Sequence, residues 1–154
     1  MTQQSTPTVG ELGEQFVSQW LTQQGWAVLY HRWHSRWGEI DLIAQKPPLM
    51  GQKTGSLVFV EVKTRSRGNW DEGGRLAVNS QKQAKLWQTA EIFLGKHPQW
   101  MDWPCRFDLA LVKHKKNQQK VTSQGFITLG KPYIWSGYEW TLQEYLDGFL
   151  MGDG

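Results

Sequence analysis

The chain has 154 residues, a formal net charge of +3 and a pI near 9.0. This length predicts a single domain over residues 1–154. The lone cysteine, Cys105, excludes an internal disulfide and a cysteine-rich zinc site, and the mild positive charge favours anionic partners. The sequence has neither a signal-peptide pattern nor an apolar run of the roughly 18 residues that span a bilayer, so we expect a cytoplasmic protein without a membrane partner.

The first predicted element is a helix that begins after Thr8 and ends near Gly25. Thr8 and Glu11 have the spacing of a capping box, and glycine suits the left-handed turn that stops a helix. At about 100° per residue, Glu14 lies on the margin of the apolar stripe and its carboxylate can point inward, whereas Glu11 falls outside the stripe. The stripe consists of Val9, Leu12, Phe16, Val17, Trp20 and Leu21.

Three strands are predicted next, at residues 26–31, 39–44 and 57–63, with a loop at 45–56 before the third. Their spacing favours an antiparallel meander. In the second strand, simple alternation puts Ile40, Leu42 and Ala44 on one face. The opposite face then carries Glu39, Asp41 and Ile43.

A second helix and a fourth strand complete the predicted core, which spans about residues 8–113. The helix has Ser80 as its expected N-cap and ends at Gly95. Its inward side is predicted to consist of Ala84, Trp87, Ala90 and Leu94. The fourth strand is expected at residues 106–112, and the basic run 113–120 as a turn or hairpin tip.

The rest of the chain, about residues 120–154, is a C-terminal extension with two predicted elements. One is a short fifth strand at residues 125–130. The other is a short helix, because Thr141 and Glu144 have capping-box spacing ahead of an apolar side. An alternative is that this tryptophan-rich part is a protein-docking surface, in which case a chain ending at residue 120 would still fold.

A candidate metal site is built from the polar faces of two strands. Glu61 and Lys63 share a face of the third strand, roughly 7 Å apart, and pairing with the second strand would bring Asp41 near Glu61. Two half-buried carboxylates repel each other, and a cation that prefers oxygen ligands, Mg²⁺ or Mn²⁺, relieves that repulsion. Glu14 could join them from the helix. Lys63 could then hold an attacking water as an ammonium group, or accept a proton as a neutral amine, and stabilise charge on a phosphate, which is the equipment for hydrolysing a phosphodiester.

The same Glu-x-Lys pair also fits a simpler interpretation, a solvent-facing ion pair with Arg65 or Asp41. The order of a helical acid, an aspartate on an apolar strand, Glu-x-Lys on the next strand and a following helix favours the metal site. Glu39 could tune that site or form an exposed salt bridge. Asp108 could close the site or pair with Arg106.

Four segments, in this order, resemble the YraN family of predicted endonucleases, which are similar to archaeal Holliday junction resolvases: GELGEQFVSQWLTQQGW, GEIDLIA, VFVEVKTR and RFDLALV. The resemblance covers residues 9–112. It implies a restriction-endonuclease-like fold, which is α/β, with a mixed sheet in an α-β-β-β-α-β core flanked by helices. It also implies that Asp41 and Glu61 are the two acids of the motif, Lys63 its lysine and Glu14 the acid of the preceding helix.

This chain departs from the family pattern at three places. Where the family has asparagine, an aromatic residue and arginine before Gly-Glu-Ile-Asp, the chain has Arg32, Trp33 and His34. The loop at 45–56 is longer than expected, and nothing after about residue 120 matches a known pattern. The similarity to junction resolvases suggests branched DNA as substrate, and a homodimer would be needed to cut two strands symmetrically.

Basic and aromatic residues around the predicted site could contact nucleic acid. The candidate phosphate contacts are Arg36, Arg65, Arg67, Lys82 and Lys85, with Arg75 in the same basic stretch. Lys82 falls in the first turn of the second helix, where free N–H groups favour a phosphate. Trp33, Trp37 and Trp70 could stack on unpaired bases. Alternatively, the charges are ordinary surface residues and the tryptophans pack.

The sequence therefore predicts a metal-dependent endonuclease that hydrolyses phosphodiester bonds in DNA, with Mg²⁺ or Mn²⁺ held by Asp41, Glu61 and Glu14. The alternative is a non-catalytic nucleic-acid-binding or scaffold domain on the same fold. Retained acids and lysine favour the enzyme, because a binding module has little reason to keep like charges together.

Overall fold

The computed structural model describes residues 5–66, 78–119 and 121–149. Within these ranges, the first six regular elements follow the predicted order of helix, three strands, helix and strand, apart from one short 3-10 helix. The elements are α1 (Val9–Gln23), β1 (Ala27–Ser35), β2 (Gly38–Lys46), β3 (Ser56–Arg65), α2 (Ser80–Lys96), a 3-10 helix (Pro98–Trp100), β4 (Cys105–Lys116), β5 (Tyr133–Trp135) and β6 (Tyr138–Leu146). None of the described helices is long and apolar enough to cross a membrane.

The strands form one mixed sheet in the order β1-β2-β3-β4-β6-β5. β1, β2 and β3 make the predicted antiparallel meander, and β4 runs parallel to β3. β6 pairs antiparallel with both β4 and β5. The connection between the parallel strands contains α2, as parallel pairing requires a long crossover. The predicted α/β class and mixed sheet are confirmed.

A hydrophobic cluster covers each face of the sheet. On one face α1 contributes Phe16, Val17 and Leu21, and on the other α2 contributes Leu86, Ala90 and Phe93. In β3 the α1-side residues are Val58, Val60 and Val62. Because side chains alternate along a strand, Glu61 and Lys63 continue the α2 side beyond Phe59.

Local signals set the ends of α1 as predicted. Oγ1 of Thr8 accepts a hydrogen bond from the backbone N–H of Glu11 at 3.1 Å. Gly25 follows the helix with a φ of 95°, a left-handed conformation that glycine adopts without a steric penalty. Glu14 is only 8% exposed, which confirms that it points inward.

The alternation predicted for β2 is wrong around Asp41. Ile40 packs beside Ile43 in the α2-side cluster, whereas Leu42 belongs to the α1 side. Counting between the flanking pairs of the β1–β2 ladder puts Arg32 opposite Asp41, and Arg32 has a φ of 51°. Such an irregular position interrupts the two-residue repeat of the strand. The residues of β2 before and after Asp41 therefore do not follow a single alternation of faces.

The inward face of α2 is rotated from the predicted one. Asn79 rather than Ser80 is the N-cap. Ala84 is exposed, and the buried residues are Leu86, Thr89, Ala90 and Phe93. The ring of Phe93 packs edge-on against Phe59 at 5.8 Å, so the bulkier series of side chains faces the sheet. Trp87 and Leu94 lie beside it as half-buried residues, and the helix runs one residue past Gly95.

The C-terminal part joins the sheet, which contradicts three predictions. The predicted helix after Thr141 is instead the strand β6, β5 lies at 133–135 rather than 125–130, and residues 113–116 extend β4 instead of turning. A capping box is a local signal, whereas β6 gives the edge of β4 a hydrogen-bonding partner from Leu109 to Lys116. It also buries Trp140 and Leu142 completely, which favours the strand.

Candidate functional site

A pocket opens where β2 separates from β3. The ladder between the two strands ends at the pair Leu42 and Val60. Beyond it, Oδ2 of Asp41 accepts a hydrogen bond from the backbone N–H of Val62 at 2.8 Å. The side chain thus takes the place of the next ladder contact. The pocket has a volume of about 260 Å³ and is lined by Gly38, Glu39, Asp41, Glu61, Lys82, Lys85 and Leu86.

Three carboxylates lie close together at this pocket, and two of them, Glu39 and Asp41, line it. Glu14, Glu39 and Asp41 each bring one oxygen to within 4.8 Å of the others. Hard oxygen ligands at this spacing suit Mg²⁺ or Mn²⁺, so the donor set fits the predicted cation. The structure therefore brings Glu14 and Asp41 together as predicted, and adds Glu39.

Glu61 lines the same pocket as Glu39 and Asp41, and its own ion pairs are with two lysines. Its Oε1 is 3.1 Å from Nζ of Lys63 and 3.5 Å from Nζ of Lys82. Glu61 and Lys63 do form an ion pair. The simpler interpretation is wrong in placing that pair in solvent, because Glu61 is only 7% exposed. The face shared by Glu61 and Lys63 is as predicted.

Asp41 is the group most perturbed by this environment. Partial burial and the charge of Glu61 raise its pKa to about 8, and Glu14 and Glu39 add to the effect. The hydrogen bond from Val62 acts in the opposite direction. Among the described residues, no cation lies within ion-pair distance of Asp41. A bound divalent cation would supply the missing positive charge.

Arg32 holds the other two acids of the triad, and sequence reasoning missed it. Its Nε is 2.8 Å from Glu14 Oε2 and 3.9 Å from Glu39 Oε1. His34 also contacts Glu39, at 3.2 Å. Glu39 therefore forms an exposed salt bridge and faces the site as well. A count back from a tight turn at Arg36 would have placed Arg32 opposite Asp41, but the predicted first strand ended too early.

The predicted phosphate contacts are distributed unevenly. Lys82 and Lys85 line the pocket. The backbone N–H of Lys82 is not free for a phosphate, since it donates to Oδ1 of Asn79 at 2.9 Å. Burial and the nearby Lys63 ammonium lower the pKa of Lys82. Arg65 ends β3, two residues beyond Lys63.

Arg36 and Trp37 lie in the β1–β2 turn, whereas Trp33 packs against the core. Arg36 is in the β1–β2 turn, with its guanidinium 5.0 Å from the centre of the Trp37 ring, and Trp37 is 45% exposed. Trp33 lies in β1 and packs edge-on against Phe93 at 5.2 Å, which favours packing over stacking. Arg67, Trp70 and Arg75 lie outside the described residues.

Asp108 pairs with Arg106, the second of its two expected roles. Its Oδ1 is 3.0 Å from Arg106 Nε and accepts a hydrogen bond from the backbone N–H of Gly148 at 3.0 Å. The Tyr145 hydroxyl donates a hydrogen bond to Oδ2 of Asp108. Asp108 is fully buried by this network and does not line the acidic pocket.

Comparison with known proteins relates this chain to one family. The model of the Uncharacterised protein family UPF0102 matches residues 13–112, which include Glu14, Asp41, Glu61 and Lys63. A UPF0102 protein of Acaryochloris marina (strain MBIC 11017) is 46% identical over 153 residues, covering 90% of this chain and 87% of the relative. A UPF0102 protein of Synechocystis sp. (strain ATCC 27184 / PCC 6803 / Kazusa) is 46% identical over 146 residues, with 90% and 94% covered. One of Nostoc sp. (strain PCC 7120 / SAG 25.82 / UTEX 2576) is 45% identical over 138 residues, with 90% of each covered.

Proposed function

This chain belongs to the uncharacterised protein family UPF0102, and from its site we propose that it is a metal-dependent endonuclease that hydrolyses phosphodiester bonds in DNA. We also propose that its α-β-β-β-α-β core has the restriction-endonuclease-like fold. The single observation that carries the proposal is the convergence of Glu14, Glu39 and Asp41 within 4.8 Å, beside a glutamate that contacts a lysine.

Asp41, Glu14 and Glu61 would hold the cation, with the Glu39 carboxylate beside those of Glu14 and Asp41. Mg²⁺ or Mn²⁺ would neutralise charge on the phosphate and make a bound water more acidic. Arg32 keeps Glu14 oriented through a contact of 2.8 Å. Asp41 must lose its proton to serve as a ligand, and its raised pKa makes that step dependent on pH near neutrality.

Lys63 is the residue placed for the hydrolytic step. Its ammonium is 3.1 Å from Glu61, so these two side chains can hold a water between them and the phosphate. Attack by that water on phosphorus would form a new P–O bond and break the bond to the leaving oxygen, while the proton of the water passes to the Glu61 carboxylate or to solvent and solvent protonates the leaving oxygen. The positive charge of Lys63 stabilises the negative charge that accumulates on the phosphate oxygens.

The nucleic-acid partner is proposed from charge around the pocket. Lys82 and Lys85 line it, Arg36 lies in the β1–β2 turn two residues before the lining residue Gly38, and Arg65 continues the strand that carries Lys63. Such cations bind phosphates without regard to sequence. Branched DNA is the proposed substrate because of the resemblance to junction resolvases, and symmetric cutting of it would need a homodimer.

The test compares branched, single-stranded and duplex DNA in Mg²⁺ and in Mn²⁺. We expect the wild-type protein to cleave at least one of them, and Asp41→Ala and Lys63→Ala to lose at least about 100-fold in rate. Lys131→Ala, which changes an exposed lysine away from the pocket, is the matched control and should cleave normally. Binding of DNA without cleavage in either metal would favour the alternative, a non-catalytic binding or scaffold domain.

A further inference from the structure

We infer that Lys82 is a second lysine of the reaction centre, one that holds Glu61 in the free protein and turns to the scissile phosphate when Glu61 takes part in cation binding. This inference rests on the proposed function. It goes beyond a general phosphate contact, because it gives Lys82 two successive partners within the pocket.

The contacts at Glu61 leave positive charge in excess. One carboxylate oxygen, Oε1, is shared by two ammonium groups, Lys63 at 3.1 Å and Lys82 at 3.5 Å. Glu61 carries one negative charge and can balance only one of them. The two ammonium groups, which share this one oxygen, also repel each other. A further anion next to Lys82 would relieve both effects.

Lys82 is the more exposed of the two lysines. Lys63 is part of β3 and its side chain is 22% exposed, whereas that of Lys82 is 41% exposed. The backbone of Lys82 is fixed by the Asn79 cap at the start of α2. Only the long side chain of Lys82 therefore needs to move, and Lys82 lines the pocket.

Its helical neighbour gives a useful comparison. Lys85 lines the same pocket, yet within the described part of the chain Glu61 has ion pairs with Lys63 and Lys82 and none with Lys85. Of the two α2 lysines, only Lys82 therefore contacts Glu61.

A phosphodiester group is the anion that suits Lys82, because its two non-bridging oxygens accept hydrogen bonds from an ammonium group.

Loss of Lys82 should change two binding reactions in opposite directions. Without the competing ammonium, Glu61 and its neighbours should bind a divalent cation more tightly. Without the same ammonium, the cation-loaded protein should bind a phosphodiester more weakly. A lysine that only neutralises Glu61 would change the first reaction and leave the second unchanged.

The experiment measures both reactions in the full chain, without any need for cleavage. Mn²⁺ affinity is measured by calorimetry at constant pH and ionic strength for the wild type, Lys82→Met, Lys82→Arg and Lys131→Met. Dimethyl phosphate, a diester monoanion, is then titrated into each protein at saturating Mn²⁺ and followed by phosphorus-31 relaxation. Circular dichroism checks that every variant is folded.

We expect Lys82→Met to bind Mn²⁺ about three- to tenfold more tightly and dimethyl phosphate about tenfold more weakly. Lys82→Arg and Lys131→Met should stay within about twofold of the wild type in both titrations. Unchanged Mn²⁺ affinity in Lys82→Met, or no Mn²⁺ binding by any of the proteins, would overturn the inference. So would tighter Mn²⁺ binding with unchanged dimethyl phosphate binding. If both shifts occur in a protein that cuts no DNA, the nuclease proposal fails and the two partners of Lys82 stand.

Discussion

At the scale of single residues, the site depends on a carboxyl group whose folded environment opposes its charge. Asp41 has three acidic neighbours and a pKa of about 8. Its folded pKa is thus above its unfolded value of about 3.9, so Asp41 favours the folded state fully only below that unfolded value. The favourable contribution is lost as the pH rises through about 8. With no cation bound, the ionised Asp41 therefore lowers the stability of the folded protein above this pH.

Asp41→Asn should therefore stabilise the metal-free protein. The amide oxygen can still accept the hydrogen bond from Val62, while the unfavourable charge is gone. At pH 8.5 in EDTA we expect a gain on the order of 2 kcal/mol, or roughly 4–8 °C in Tm. Near pH 4 the gain should vanish, since Asp41 is protonated in the folded protein. Asp102→Asn, an exposed control, should change Tm little at either pH.

Cation binding should tighten as the pH rises. A protonated Asp41 cannot ligate the ion, and with a pKa of about 8 it is mostly protonated at pH 6. Between pH 6 and pH 8 we expect Mn²⁺ affinity to increase at least about tenfold, with release of a proton on binding. Calorimetry in two buffers of different ionisation enthalpy measures that proton. An affinity that does not change over this range would show that Asp41 is not a ligand.

A bound cation should be able to replace the positive charge that Arg32 supplies to Glu14. Removing it in Arg32→Met leaves Glu14 buried beside Glu39 and Asp41 without its 2.8 Å partner. We expect a loss of about 1–3 kcal/mol in the free energy of unfolding without metal. Mn²⁺ should restore more of the Tm in this variant than it adds to the wild type, because the ion replaces the lost charge. An equal rise in Tm on adding Mn²⁺ to the two proteins would contradict this role of Arg32. Lys53→Met, in the exposed β2–β3 loop, is the control.

At the scale of elements, prediction succeeded where local and long-range signals agree. The cap at Thr8, the meander and the inward Glu14 each follow from patterns that the final packing reinforces. Of the predicted site residues, Asp41 and Glu61 line one pocket. Glu14 brings a carboxylate oxygen close to Asp41, and Lys63 contacts Glu61. These positions depend on strand alternation in β3 and helix periodicity in α1, which can be counted from the sequence.

Prediction failed where distant parts of the chain decide the outcome. The capping-box pattern at Thr141 was overruled by pairing with β4, a partner about 30 residues away in the sequence. The irregular conformation of Arg32, and with it the roles of Glu39 and Ile40, depends on how β2 leaves β3. No local pattern signals a positive φ at an arginine.

The element β6 gives a prediction about the C-terminal part. A chain ending at residue 120 would lose the strand that covers β4 and the fully buried Trp140, whose ring stacks on Phe16 at 5.7 Å. We expect this truncated protein to be insoluble or unfolded by circular dichroism. In the full chain, Leu142→Ala should lower the free energy of unfolding by about 2–4 kcal/mol in urea titrations. A truncated protein that folds well would instead favour the alternative of a separate docking surface.

At the scale of the whole molecule, the sheet and its two helices act as a support that brings distant acids together. Glu14 comes from α1 on one face of the sheet, Glu61 points to the side of α2, and Asp41 lies at the fork between β2 and β3. Packing of both faces sets these positions, and α2 adds Lys82 and Lys85. The acids would repel one another in the free protein, which a cation in the pocket would relieve.

The most direct test of this account is the anomalous diffraction of crystals grown with Mn²⁺. We predict a manganese peak in the pocket, coordinated by Asp41 and Glu14, with Glu39 or Glu61 adjoining it, and no peak there in Asp41→Asn crystals grown under the same conditions. A wild-type crystal with manganese bound elsewhere and the pocket free of it would contradict the account.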